Sequence, residues 1–203
     1  MCRTIAFAFL WFPLMIRAGA APGPAEPKEL EIYHPTQVGA EWVYQGGKRG
    51  LPTTGEATLV IKDVKREDGK AICTIVDKAS DKLVSIIEVS ERGLLQLANE
   101  TGKLKSPRCL LKLPYKLNET WEEETANAKG VVRFKVSYAI GKVEKVKVPA
   151  GTYEAIRVDI VHTFEKTLFK TTQWYAPKVG LVKEVTGDDD LFRELKSFKP
   201  NKD

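Results

Sequence analysis

Apolar and polar residues alternate along most of this chain with a period of two. Between Val132 and Ile140 the alternation is strict: Val132, Phe134, Val136, Tyr138 and Ile140 interleave with Arg133, Lys135, Ser137 and Ala139. Successive side chains of an extended strand point to opposite faces, so such a run has one face for a core and one for water. Ile156, Val158, Ile160 and Phe164 alternate similarly with Arg157 and Asp159. Further strands are predicted over 41–46, 56–66, 70–78, 82–91, 93–99, 108–113, 119–126, 143–148, 167–176, 179–186 and 191–199. Reversals fall at Glu67-Asp68-Gly69, Ser80-Asp81, Arg92-Gly93, Pro149-Ala150-Gly151, Ala176-Pro177-Lys178 and Gly187-Asp188, where Gly, Pro and Asp supply turn geometry. Leu191, Leu195 and Phe198 also fit a helical stripe, but a closing strand is favoured there because sheet precedes it throughout. The predicted fold class is all-β: a strongly curved antiparallel sheet or open β-barrel over residues 31–203, with few or no helices.

A faint echo runs through this pattern. Pro35 to Trp42 and Pro114 to Trp121 share P-x-x-[VL]-x-x-x-W, in each case a turn leading into a strand that carries a tryptophan. Two related halves, starting near residues 33 and 112, would build one sheet by duplication; three matched positions are equally open to coincidence.

The N-terminus breaks the alternation. Arg3 precedes an apolar run from Ile5 to Ile16, and Ala18-Gly19-Ala20 forms a small-residue cleavage pattern, so residues 1–20 read as a signal peptide. The run is about 12 residues, short of the roughly 20 that span a bilayer. Charged residues interrupt every later apolar run, so no transmembrane segment is predicted. Residues 21–30 are Pro-rich and read as a flexible tether. The expected product is exported, periplasmic or extracellular.

Without residues 1–20, which carry Arg3 and Arg17, 30 basic residues face 27 acidic ones, a net charge of +3. The two signs interleave, as in Lys142-Val143-Glu144-Lys145, which is a solvated surface and excludes a nucleic-acid footprint. Cys73 and Cys109 survive cleavage. In an oxidising compartment they are candidates for a disulfide, the alternative being two buried free thiols.

Catalytic and metal patterns are missing. His34, Cys73, Cys109 and His162 are scattered without zinc-like spacing, and no cofactor motif occurs. His162 shares strand parity with Ile160 and Phe164 and reads as a histidine at the core's edge; His34 reads as structural. The run Asp188-Asp189-Asp190 reads as a hairpin tip rather than a calcium loop. The remaining handle is aromatic: Trp42, Tyr44, Trp121, Phe134, Tyr138, Phe164, Trp174 and Tyr175 are candidate ligand-binding residues, against ordinary sheet packing. Trp174 and Tyr175 are adjacent on a strand and must face opposite sides.

The segments Gly39, Trp42 and Tyr44; Pro149-Ala150-Gly151 and Tyr153; and Trp174, Ala176-Pro177 and Gly180-Leu181-Val182 resemble a TapB-like group of exported bacterial proteins of unknown function. More distantly, the chain is similar to the curved sheets of lipoprotein-carrier (LolA-like) proteins. That resemblance implies an open barrel around an apolar ligand, although this chain lacks helices to line one. The leading expectation is a non-enzymatic domain binding a lipid or other apolar small molecule. The second is a module that binds another envelope protein, and the third a hydrolase built on Asp159 and Glu154.

Overall fold

The computed structural model describes residues 32–126, 133–164, 167–187 and 191–201. The leader, the tether and the Asp188-Asp189-Asp190 run lie outside the described residues. The alternating runs form twelve strands: β1 (Glu41–Lys48), β2 (Gly55–Glu67), β3 (Lys70–Asp77), β4 (Leu83–Ser90), β5 (Gly93–Asn99), β6 (Gly102–Lys112), β7 (Thr120–Ala126), β8 (Arg133–Val148), β9 (Gly151–Phe164), β10 (Thr167–Ala176), β11 (Gly180–Thr186) and β12 (Leu191–Lys199). Among the described residues no helix is long and apolar enough to cross a membrane.

Two boundaries differ from expectation. The predicted strands at 132–140 and 143–148 are one strand, β8, whose register against β9 shifts between Ile140 and Val143. A bulge lets a strand bend while keeping its partner, and Gly141 there leaves room for the Arg157 side chain. β6 begins at Gly102 rather than at 108, running through Pro107. A proline is tolerated because β6 is an edge strand, where an absent N–H costs no ladder bond. The ambiguous last segment is a strand, paired on both sides with β1 and β11.

All strands belong to one antiparallel sheet, in the order β6-β5-β4-β3-β2-β1-β12-β11-β10-β9-β8-β7, nearly closed as a barrel. Each strand neighbours its successor in sequence except at one place. The first and last strands pair fully, and the break falls instead between β6 and β7. The sheet is therefore two six-strand meanders joined through β1 and β12. Trp42 is the second residue of β1 and Trp121 the second residue of β7, so the repeated motif opens each meander.

The inward faces pack Ile61, Leu94, Leu111, Ile140, Ile156, Val158, Val182 and Leu195 almost without exposure. Burying a side chain of this size contributes roughly 1.5–3 kcal/mol. Because consecutive strands run up and down, the β2–β3, β4–β5, β8–β9 and β10–β11 turns and the β6–β7 connection gather at one end. The segment Tyr33 to Thr36 is buried across that end. It is held there by a Lys178 N–H donating to the Ile32 carbonyl (2.7 Å) and by Arg66 donating to the Thr36 carbonyl (2.7 Å). The Cys73 thiol meets the Pro35 carbonyl at 3.9 Å. Gly180 sits here with φ +92°, where an added Cβ would lie 3.3 Å from the His34 ring. This end of the barrel is plugged.

Candidate functional site

Inside the barrel lies a cavity of about 280 Å³. Part of its wall is aromatic and aliphatic: Trp42, Leu59, Ile75, Ile87 and Leu94. Another part is polar, with Ser85 opposite Ile75, Gln96 opposite Ile87, and Arg108, Gln173 and Arg193. A second, larger cleft of about 1000 Å³ lies at the plugged end between Tyr33, Arg66, Lys70, Arg92 and Tyr115. Its lining mixes both signs of charge at turn tips, whereas the smaller cavity, about as open to solvent, is walled by strand residues.

Trp42, Tyr44 and Tyr175 of the sequence-derived candidates line the inner cavity. The Trp42 indole donates to the Val179 carbonyl (2.8 Å) and the Tyr44 hydroxyl to the Leu181 carbonyl (2.7 Å), tying β1 to the β10–β11 turn region across the lumen. Tyr175 donates to the Gln173 side-chain oxygen (2.7 Å). Burial pushes both phenols well above the ordinary tyrosine range, so both stay neutral donors.

Trp121 and Tyr138 stack in parallel at 4.9 Å, beside the β6–β7 break. The Trp121 indole donates to the Cys109 carbonyl (3.1 Å), and the Cys109 N–H donates to Glu123 (2.6 Å). Lys112 adds an ion pair with Glu119 (3.2 Å). Side chains thus close a seam that backbone closes everywhere else. Phe134 and Phe164 are cross-strand partners on β8 and β9, near the end opposite the plug. Phe169 and Leu191 share the inward parity at that end and are 42% and 50% exposed. His162 stacks on Phe169 at 4.3 Å. Burial, then the nearby Arg108 charge, lowers its basicity, so it is a neutral aromatic wall.

Trp174 does not join the cavity. It faces outward, as its adjacency to the buried Tyr175 requires, and donates to Glu144 (2.7 Å) beside Lys183. Cys73 on β3 and Cys109 on β6 are free thiols separated by β4 and β5. Three strand spacings are about 14 Å, beyond the ~7 Å Cα limit of a disulfide. Asp159 has its carboxylate engaged by Arg157 (2.8 Å) and Thr172 (3.0 Å), while Glu154 is exposed elsewhere on β9. His34 is buried, donates to the Pro35 carbonyl (2.7 Å) and packs against Trp42 (5.2 Å), which gives it a structural place in the plug. Among the described residues no three His, Cys, Asp or Glu side chains converge as metal ligands.

Sequence reasoning missed the charged residues of the inner face: Arg108, Glu123, Glu184 and Arg193. A signal existed for three of them. Glu123 keeps step with Trp121, Glu184 with Val182, and Arg193 with Leu195, so each carries a charge at an inward position.

Three comparisons bear on this architecture. The profile of the DUF3108-like family matches residues 119–189, from the foot of β7 past β11. No curated protein matches the chain. Two solved structures share the fold. A candidate lipoprotein from Parabacteroides distasonis aligns with a TM-score of 0.52 at 16% identity, covering 85% of this chain and 100% of that one. A candidate exported protein with a YmcC-like fold from Bacteroides fragilis aligns with a TM-score of 0.55 at 14% identity, covering 83% and 99%.

Proposed function

We propose that this chain is an exported, non-enzymatic domain that binds an apolar or amphipathic cell-envelope molecule inside its barrel. The observation that carries this reading is the inner cavity, walled by Trp42, Leu59 and Ile75 and by polar groups beside them. Its volume of about 280 Å³ stands near the lower end of small-molecule pockets, ~300–1,000 Å³. Trp42, Tyr44 and Tyr175 would touch the ligand directly. Trp121, Tyr138 and Phe164 would border its path along the seam and the end opposite the plug; the Phe134 side chain lies outside the described residues.

Export is supported by the leader read in residues 1–20 and by the names of the two structures that share the fold. The resemblance to TapB-like and lipoprotein-carrier proteins points the same way. Native mass spectrometry of the protein taken from its own compartment tests the reading. A mass exceeding the polypeptide by a releasable small molecule is expected; a bare polypeptide that also fails to take up any amphipath sinks it. N-terminal sequencing of the same sample should begin at Ala21.

A second reading, an interaction module for another envelope protein, is favoured by Leu168, which stands 63% exposed on the outer face. Cross-linking in the native envelope separates the two, because only this reading expects a partner to be trapped through β10.

A further inference from the structure

We propose that Arg108 and Arg193 form an anion-recognising belt within the barrel, and that the bound molecule is a single-chain amphipath with a carboxylate or phosphate head. This deepens the carrier reading and rests on it. Arg108 lies on β6 and Arg193 on β12, six strands apart in a twelve-strand order, so they enter one cavity from opposite walls. The Nε–H of each is buried, and neither has a hydrogen-bond partner among the described residues. Native structures rarely leave a buried charged donor without an acceptor.

The neighbouring carboxylates do not satisfy them. Glu184 accepts from the Gln173 amide at 2.5 Å and pairs with the far nitrogen of Arg193 at 3.3 Å, leaving Nε–H free. Glu123 accepts from the Cys109 N–H (2.6 Å) and the Tyr138 hydroxyl (3.4 Å), which leaves Arg108 Nε 4.0 Å away. Neutral donors share these acids, and although a terminal nitrogen of Arg193 reaches both Glu184 oxygens, the Nε–H of each guanidinium stays unanswered. Arg193 is also held over the Tyr44 ring at 5.3 Å, which fixes the plane of its donors. Guanidinium groups with fixed planes recognise carboxylate and phosphate oxygens specifically. Beside that belt the same cavity carries the apolar wall of Trp42, Leu59, Ile75 and Leu94, as a tail requires. The cavity's size suits one chain and excludes a two-tailed lipid.

The purified chain should be titrated with decanoate, decyl phosphate and decanol, followed by calorimetry and tryptophan fluorescence. At least one anion is expected to bind about tenfold or more tighter than the alcohol, and the two anions distinguish the headgroups. Arg108→Gln and Arg193→Gln should each bring the ratio of anion to decanol affinity toward one. Arg193→Lys, which keeps the charge, should retain part of it. Equal binding of all three probes overturns the belt and leaves the carrier reading standing. Binding of none overturns both. If the glutamine variants unfold, the wild-type ratio of anion to alcohol decides alone.

Discussion

Trp121 on β7 donates its indole N–H to the Cys109 carbonyl on β6 at 3.1 Å, across a junction that carries no backbone ladder among the described residues. The indole and the Glu123 carboxylate there replace the ladder that β1 and β12 form at the equivalent joint. Edge strands left open invite pairing with other chains, so the side chains guard a liability.

Trp121→Phe keeps the ring and removes the donor, and a loss of about 1 kcal/mol is expected. Native-state hydrogen exchange locates it: the Cys109 amide should exchange faster in Glu123→Ala, and β6 amides faster in Trp121→Phe. Trp42→Phe, which loses the bond to Val179 instead, should leave β6 unchanged. Uniform acceleration across all strands in Trp121→Phe would contradict a local latch.

Gly93 has φ +124°, and a Cβ there would stand 1.9 Å from the Leu111 carbonyl oxygen. Gly93→Ala should therefore cost more than about 2 kcal/mol in urea unfolding. Gly69→Ala, with φ +74° and open space around it, should cost only roughly 1 kcal/mol. The ratio checks that backbone crowding, and not glycine's general freedom, sets the penalty.

Burial in the plug lowers His34 to about 4, opposed only partly by its bond to the Pro35 carbonyl. Between pH 6.5 and 4 the unfolded chain binds a proton that the native state refuses, so stability falls as pH falls through that window. The full loss is on the order of 3 kcal/mol. His162 acts with the same sign. Carboxylates held low, such as Glu144 bonded by Trp174, lose their contribution only as pH drops further. Urea midpoints from pH 7.5 to 4 should show the slope, and His34→Gln should flatten most of it.

Burial raises both thiols to about 11, with the Glu123 charge adding to the effect at Cys109. Native protein at pH 8 should react with iodoacetamide roughly a hundredfold more slowly than an ordinary cysteine. Denatured without reductant, both Cys73 and Cys109 should label fully. Protection of both after denaturation would show a bridge.

Most of the fold was legible because strands announce themselves by a period of two, and the interleaving of Phe134 to Ile140 with Lys135 to Ala139 needed no further information. What the period could not supply was the ring of neighbours. Nothing local in Glu41–Lys48 says that its partner is Leu191–Lys199, and nothing in Lys112 says that its strand ends the sheet. The bend at Gly141 was read as a break because a bulge and a short turn both interrupt alternation. The aromatic candidates were legible by parity for Tyr175 and Trp174. The arginine belt was not, because a lone charge on a strand is far more often solvated, and only assembly shows which face is enclosed.

The earliest of the described strands is zipped to the latest of them. Ten of the strands can hairpin onto their forerunners as they emerge, yet β1 keeps one flank bare until Leu191–Lys199 arrives. A chain halted before β12 leaves the joint between the two meanders open, so the vessel exists only once Leu191–Lys199 has been made.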